Sequence, residues 1–302
     1  GEGSALGEAS APLSVSRPRP GFSEQDPAHW WDAVLKAVDA LKERYPDLVS
    51  AIRGIGLSGQ MHGATLLDRD NQVIRPAILW NDVRSAAECA EMEEALPALR
   101  KIAGNIAMPG FTAPKILWVK KHEPDNYAKI AKVLLPKDYV RFLLTGTYVS
   151  DMSDASGTLW LDVEHRGWSD DLLAVTGLTT EHMPALVEGS EPSGHLSPEL
   201  CARWGIAQTP VVAGGGGDNA ASACGIGAVE PGSGFVSLGT SGVLFVSNDK
   251  FRPNTEGAVH AFCHAIPKTW HQMGVFLSAT DSLNWFSKLV GQDAAGVTRA
   301  VA

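Results

Sequence analysis

The protein is a chain of 302 residues, of which 44% are hydrophobic, with a formal net charge of −9. This length and apolar content predict a globular protein of one large domain or two ordinary ones. The negative charge and the lack of a Lys/Arg cluster exclude an electrostatic footprint for nucleic acid or an anionic membrane, so neither is an expected partner.

The cysteines and the apolar runs exclude further classes of protein. The four cysteines Cys89, Cys201, Cys224 and Cys263 lie far apart without a Cys-x-x-Cys pair, which signals neither a zinc site nor a disulfide framework. No stretch approaches the roughly 18 apolar residues of a membrane span, and the N-terminus has no basic region followed by an apolar one. We therefore expect reduced thiols and a cytoplasmic location.

The first half of the chain predicts alternating helices and strands. Asp26 and Pro27 begin a helix by N-cap and first-turn chemistry. Further along, we predict a strand over 48–57, a hairpin over 64–80, a helix over 84–102, a helix capped by Thr112, a strand over 132–135 and a helix over 137–144 ended by Gly146.

The second half continues this alternation. We predict helices after Ser169 and Ser197, a strand over 211–213, a helix from Asp218, strands over 234–238 and 243–247, a hairpin over 260–277 and a helix over 282–290. This order indicates an α/β fold with a mixed sheet. A domain boundary is best placed near Pro231.

Residues 211–221 have the clearest chemistry in the chain. An apolar run breaks into four glycines, Gly214 to Gly217, and is followed by Asp218. The pattern predicts a buried strand, a turn without side chains and a helix opening at Asp218, which presents a carboxylate to a ligand. Asp218 would also serve as a plain N-cap, although a cap does not require a run of glycines.

Polar side chains follow two predicted strands. Gln60, Met61 and His62 lie between two glycines after one strand, and Asn81 and Asp82 close the next. Loops at strand ends often hold ligand contacts in α/β proteins. A lone histidine is nevertheless usually structural, and Asn-Asp also suits a simple turn.

Two polar turns allow more than one interpretation. Residues 150–158 contain Asp151 and Asp154, for which Asx turns are a commoner explanation than a cation site. A second turn, between the strands over 234–238 and 243–247, consists of Gly239, Thr240, Ser241 and Gly242. Its amides and hydroxyls suit phosphate oxygens, and a plain hairpin turn explains it equally well.

Known nucleotide-binding motifs reduce the number of enzyme classes that the glycine-rich segments can indicate. The chain has no Gly-x-x-x-x-Gly-Lys-[Ser/Thr], which excludes a P-loop enzyme. Gly215, Gly217 and Ala220 fit a loose dinucleotide fingerprint, but residues 235–245 lack the carboxylate that would bind the ribose, so a dehydrogenase is the least favoured interpretation. A carboxylate after a glycine run, followed later by a Gly-Thr-Ser-Gly turn, instead suits phosphoryl transfer from a nucleotide to a hydroxyl.

With these residues in view, the chain resembles the FGGY family of sugar kinases over nearly its whole length. Residues 110–122 fit the first family signature at every constrained position. Further blocks in family order are 58–63, 79–82, 135–139, 150–158 and 216–220. The resemblance implies two ribonuclease H-like domains of the actin and hexokinase kind, separated by a cleft. Residues 1–230 would be the sugar-binding domain without its first strands, and residues 231–302 the start of an incomplete nucleotide-binding domain.

The resemblance also implies roles for single residues. Met61 and His62 resemble the sugar-binding pair of the family. Asp218 resembles its catalytic base, and Asn219 the neighbour of that base at the sugar. The residues that resemble the ATP phosphate turn are Gly239, Thr240, Ser241 and Gly242.

The implied reaction uses ATP and Mg²⁺ to phosphorylate a sugar hydroxyl. The Gln-Met-His loop favours the C5 hydroxyl of D-xylulose, while ribulose, glycerol and gluconate kinases of the family remain alternatives. Residues 1–12 lack the Asp-x-Gly-Thr turn of the family's first strand, and family members continue past residue 302. We expect the full protein to contain both parts, and a non-catalytic sugar-binding protein is the alternative if it does not. The metal ligands and the oligomeric state are left open, with a homodimer as one expectation.

Overall fold

The described residues, 3–239 and 241–301 of a computed structural model, alternate short strands with helices. The α-helices are α1 (Pro27–Arg44), α2 (Pro46–Ser50), α3 (Ala86–Ala95), α4 (Leu99–Ala103), α5 (Thr112–His122), α6 (Pro124–Tyr127), α7 (Pro136–Thr145), α8 (Met152–Ser156), α9 (Asp170–Thr176), α10 (Pro198–Trp204), α11 (Asp218–Ile226), α12 (Thr280–Val290) and α13 (Ala294–Val301), and a 3-10 helix spans Thr180–His182. Within this part of the chain, none of the helices is both long and apolar enough to cross a membrane.

The strands are mostly short. They are β1 (Glu24–Gln25), β2 (Gly54–Ile55), β3 (Ser58–Gly59), β4 (Thr65–Leu67), β5 (Ala77–Ile78), β6 (Lys132–Leu134), β7 (Val149–Asp151), β8 (Leu161–Asp162), β9 (Gly167–Trp168), β10 (Ala185–Val187), β11 (Pro192–His195), β12 (Val211–Ala213), β13 (Gly216–Gly217), β14 (Gly234–Leu238), β15 (Gly242–Asn248), β16 (His260–Cys263) and β17 (Trp270–Phe276). Both parallel and antiparallel pairs occur, which confirms the predicted mixture of strand directions.

Two segments that are far apart in sequence lie side by side and parallel. β12 pairs with β2, with Val211 opposite Gly54, and β13 pairs with β3, with Gly216 opposite Ser58. β11 pairs with the other side of β12. Because the paired segments run in the same direction, the loop that follows β3 and the helix α11 that follows β13 leave from the same edge.

The chain after α11 forms a four-stranded antiparallel sheet in the order β14-β15-β17-β16. Its edge strand β16 packs against α8, where the Cys263 amide donates a hydrogen bond to the Ser156 hydroxyl at 3.0 Å. Phe262 of β16 belongs to the same buried core as Trp160, from the earlier part of the chain. β16 therefore joins this sheet to the earlier part of the chain through α8 and the shared core.

Some predicted elements differ from the structure. Residues 46–50 form helix α2 instead of leading into a strand, because Pro46 takes the first helical position. The N–H at that position has no intrahelical partner in any helix, so proline is well tolerated there. The helix predicted over 84–102 is two helices, α3 and α4, separated around Pro97. Thr112 is the first residue of α5 and not its cap, since Phe111 takes the N-cap position. The hairpin predicted over 64–80 has only isolated bridges, while β4 pairs with β6 and β5 with β1.

Candidate active site

The edge where β3 and β13 end collects residues singled out in the sequence. Their parallel pairing places Gly217 opposite Gly59. Met61 and His62 therefore follow one strand, and Asp218 follows its neighbour at the same edge. Ligands of open α/β sheets bind beyond the carboxyl ends of strands, so this edge is the candidate active site.

Asp218 is the first residue of α11, and its carboxylate is only partly engaged by the protein. The N-cap position belongs to Gly217, so the interpretation of Asp218 as a plain cap does not describe this helix. Its Oδ1 accepts hydrogen bonds from Asn219, at 2.8 Å from the amide N and 3.0 Å from Nδ2. The side chain stays accessible to solvent, yet desolvation by surrounding protein atoms raises the pKa of Asp218, and the bonds from Asn219 oppose that shift.

The glycine run has a packing reason that the sequence did not reveal. Gly215 has φ +73°, and a Cβ there would lie 2.1 Å from the Leu57 carbonyl oxygen of the neighbouring segment. A Cβ on Gly217 would lie 2.9 Å from Met61 Sδ. The glycines therefore allow the two segments to approach closely, in addition to leaving side chains out of the turn before Asp218.

His62 is held as a neutral imidazole. Its Nδ1 lies 2.6 Å from the Gly157 carbonyl oxygen, and because a carbonyl only accepts, Nδ1 carries the proton. Burial, helped by the nearby Lys115 charge, lowers the pKa of His62 to about 3. The Nε2 lone pair accepts no hydrogen bond from the described residues, so a ligand can donate one to it.

Lys115 fixes the backbone of His62 and was not singled out as a site residue from the sequence. His62 has φ 69°, an uncommon conformation for a residue other than glycine. Its carbonyl oxygen accepts from Lys115 Nζ at 2.8 Å and from the Thr112 hydroxyl at 3.1 Å, and the same Nζ donates to the Gly110 carbonyl at 2.7 Å. Burial lowers the pKa of Lys115 to about 7, with Asp82 opposing the shift. The signature at 110–122 marked this segment, but only the fold shows the contact.

An aromatic cluster brings β16 to the same loop. Phe111 lies edge-on to His62, with ring centroids 5.0 Å apart, and edge-on to His260 of β16 at 5.6 Å. His260 also stacks on Phe262 at 5.4 Å. Burial lowers the pKa of His260 to about 4. No sequence pattern indicated His260, because it stands in an ordinary predicted hairpin.

A buried acidic cluster lies next to the glycine run. Among the described residues, Asp138, Asp151 and Asp154 are the acidic group spaced closely enough to hold a metal ion. The Lys137 ammonium already lies among them, 2.5 Å from Asp138 Oδ1, 2.8 Å from Asp151 Oδ2 and 3.5 Å from Asp154 Oδ2. Burial raises the pKa of Asp154 well above its usual range, although Lys137 opposes the shift. Since a divalent cation would be repelled by the ammonium, this cluster does not fit Mg²⁺.

The predicted phosphate turn joins β14 to β15, and one of its residues, Thr240, lies outside the described residues. Gly239 N donates to the Ser241 carbonyl at 2.8 Å. Thr280 donates to the Gly239 carbonyl from its amide at 3.1 Å and from its hydroxyl at 2.6 Å, which ties the turn to the start of α12. Gly242 begins β15. The phosphate role of this turn stays a prediction.

Residues 1–225 match the family described as the FGGY family of carbohydrate kinases, N-terminal domain. The chain belongs to this family. The xylulose kinase of Escherichia coli (strain K12) is 52% identical to this FGGY chain over 290 residues, which are 96% of this chain and 59% of that protein. The xylulose kinase of Bacillus subtilis (strain 168) is 40% identical over 287 residues, which are 95% of this chain and 58% of that protein.

Solved structures agree with the FGGY assignment. A structure described as a xyloylose kinase from Brucella ovis matches with a TM-score of 0.97 and 58% identity, over 99% of this chain and 62% of that chain. The xylulose kinase from Rhodospirillum rubrum matches with a TM-score of 0.90 and 28% identity, over 98% of this chain and 62% of that chain. The predicted α/β fold of the actin and hexokinase kind is thereby confirmed. The chain spans about three-fifths of the length of these relatives.

Proposed function

We propose that this chain carries the sugar site of an ATP-dependent kinase that converts D-xylulose to D-xylulose 5-phosphate. Relatives named xylulose kinase, one of them 52% identical, support this choice of sugar. The observation that carries the proposal is the parallel pairing of β3 with β13, which sets Met61 and His62 at the same edge as Asp218. The loop after β3 can thus hold the sugar while the first residue of α11 removes its proton.

Asp218 is the proposed general base. Its Oδ1 is engaged by Asn219, whereas Oδ2 accepts no hydrogen bond from the described residues and is available to a sugar hydroxyl. The raised pKa makes this carboxylate a stronger base than an ordinary aspartate. As Asp218 takes the proton of the C5 hydroxyl, the C5 oxygen bonds to the γ-phosphorus of ATP. The bond from that phosphorus to the bridging oxygen breaks, and ADP leaves with the bond electrons.

Met61, His62 and Asn219 are the proposed sugar contacts. His62 commits Nδ1–H to the Gly157 carbonyl, so Nε2 would accept a hydrogen bond from a sugar hydroxyl. Met61 is buried against Gly217, and its thioether would provide an apolar contact for the carbon chain. Asn219, next to the base, would orient a neighbouring hydroxyl. Together these contacts fix which oxygen faces the phosphorus.

The phosphate side of the reaction is assigned to the second part of the chain. We place the ATP phosphates at the turn Gly239, Thr240, Ser241 and Gly242, where the hydroxyls would bind them together with amides other than that of Gly239, which donates to the Ser241 carbonyl. Mg²⁺ would neutralise charge on the ATP phosphates, and none of the described residues is assigned as its ligand. We place the domain boundary near Pro231, because strands β14 to β17 pair only with one another among the described residues.

A sugar panel with a coupled ADP assay tests the proposal in the full-length protein. We expect kcat/KM for D-xylulose to exceed that for ribulose, glycerol and gluconate by roughly tenfold or more, as for a site that pairs with specific hydroxyls. Preference for one of the other substrates would move the assignment to another FGGY kinase. Calorimetry that shows binding of D-xylulose but not of ATP would refute the kinase assignment in favour of a sugar-binding protein.

A further inference from the structure

The Ser153 hydroxyl connects the buried charge cluster to the peptide that precedes Asp218. Its Oγ accepts a hydrogen bond from Gly217 N at 3.0 Å and donates one to Asp151 Oδ1. Ser153 is fully buried, on α8, and is 64 residues from Gly217 in sequence. It is therefore a tertiary contact and not a local turn.

The surroundings of Asp151 fix the direction of the Ser153 proton. Asp151 Oδ1 also accepts from the backbone N of Ser153 at 2.9 Å and of Asp154 at 3.2 Å, while Oδ2 pairs with the Lys137 ammonium at 2.8 Å. A carboxylate in this setting only accepts, so the Ser153 hydroxyl must donate to it. The lone pair of Ser153 is then directed to the Gly217 amide.

Gly217 has few other restraints on its position. It is the N-cap of α11 and has no side chain that could cap the helix. Besides the helix that it begins, its anchors among the described residues include the short parallel pair with Gly59 and the approach of Met61. The next residue is Asp218, so a rotation of the Gly217 peptide would redirect the carboxylate while leaving Met61 and His62 on their own loop.

The geometry points to Ser153 as a positioning residue for Asp218, in which the Lys137–Asp151 pair orients the Ser153 hydroxyl and the hydroxyl fixes the Gly217 peptide. This inference rests on the proposed kinase function. Ser153 touches neither the sugar nor the nucleotide in this scheme. Its effect is confined to the position and orientation of the Asp218 carboxylate. A misplacement of about 1 Å at a reacting group can lower a rate by about 10²-fold.

The chain offers a matched control in Ser150. This serine is equally buried, lies on the preceding strand β7, and has an Oγ without a hydrogen-bond partner among the described residues. Ser150→Ala and Ser153→Ala thus remove the same atoms from neighbouring buried positions. Only Ser153→Ala removes the bond to Gly217.

The test compares kcat, KM and the pH profile of the full-length wild type, Ser153→Ala and Ser150→Ala with D-xylulose and ATP. We expect Ser153→Ala to lower kcat on the order of 10- to 100-fold. We expect its sugar KM to stay within about threefold, because the Met61 and His62 loop is untouched. Its acid limb should move to lower pH as Asp218 becomes better solvated, and Ser150→Ala should match the wild type.

Several results would overturn the inference. Equal kcat for Ser153→Ala and Ser150→Ala would show that the Ser153 hydroxyl does not orient the Asp218 carboxylate. An unfolded Ser153→Ala protein, seen by circular dichroism, would make Ser153 a stabiliser of the fold instead. A rise in KM without a fall in kcat would place its effect on sugar binding. A wild type that phosphorylates none of the panel would refute the proposed function itself, a result distinct from these.

Discussion

Met61 Sδ lies so close to Gly217 that a Cβ added to the glycine would approach it to 2.9 Å. Met61 comes from the loop after β3, and Gly217 ends β13, immediately before Asp218. The proposed sugar loop therefore packs against the glycine that precedes the proposed base. We therefore expect a larger side chain at this glycine to weaken the affinity for the sugar.

Gly217→Ala tests this contact. The new Cβ would displace the flexible Met61 side chain before it moved backbone, so we expect a folded protein whose Kd for D-xylulose rises by roughly tenfold, the size of one lost contact. Gly225→Ala on the same helix is the control, since a Cβ there meets no atom of the described residues within 4 Å. That control should bind normally and gain about 0.5–1 kcal/mol in unfolding free energy. Unchanged sugar affinity in Gly217→Ala would contradict the contact.

Lys115→Met tests the support of the His62 backbone. The change leaves the Gly110 carbonyl without this donor and the His62 carbonyl with Thr112 alone. We expect about 1–3 kcal/mol less unfolding free energy and a weaker affinity for D-xylulose, measured by urea unfolding and calorimetry. The exposed Lys120 lies on the same helix, and Lys120→Met should change neither quantity by much. Normal sugar affinity in Lys115→Met would argue against its role at the loop.

Buried histidines predict a loss of stability in mild acid. Burial lowers the pKa of His62 to about 3 and of His260 and His264 to about 4. The unfolded chain binds protons at these sites as the pH falls below about 6.5, while the folded chain does not until about pH 4 at His260 and His264 and about pH 3 at His62. Their stabilisation is therefore complete above pH 6.5 and is lost between pH 6.5 and 4, by up to about 1.4 kcal/mol per histidine and pH unit.

Urea unfolding at pH 7 and pH 5 measures this loss. His264→Gln should make the pH dependence shallower, because it removes one buried site. Equal unfolding free energies of the wild type at the two pH values would contradict the prediction.

The sequence predicted the parts of the site that depend on local pattern. The apolar run and Asp218 predicted a strand and a helix, which are β12 and α11, whereas the predicted turn was wrong for Gly216 and Gly217, which pair with β3 as strand β13. The Gln-Met-His segment was expected in a loop after a strand, and it follows β3. Local composition is sufficient for such elements because each is set by residues close in sequence.

The remainder depends on contacts between distant residues. The Ser153–Gly217 bond and the Lys115–His62 bond join residues 64 and 53 positions apart, and no periodicity encodes such pairs. His260 reaches the site only because β16 packs on α8. The helix at 46–50 was missed because its apolar residues suit a strand equally well, and Pro46 decided the outcome.

Turnover of Asp218→Asn in the full-length protein tests the central claim most directly. Asparagine keeps the size of the side chain but cannot accept the proton, so we predict a loss of kcat of at least about 10²-fold. The Kd for D-xylulose should stay within about threefold of the wild type, because Met61 and His62 are unchanged. Near-normal turnover in Asp218→Asn would contradict the assignment of Asp218 as the base.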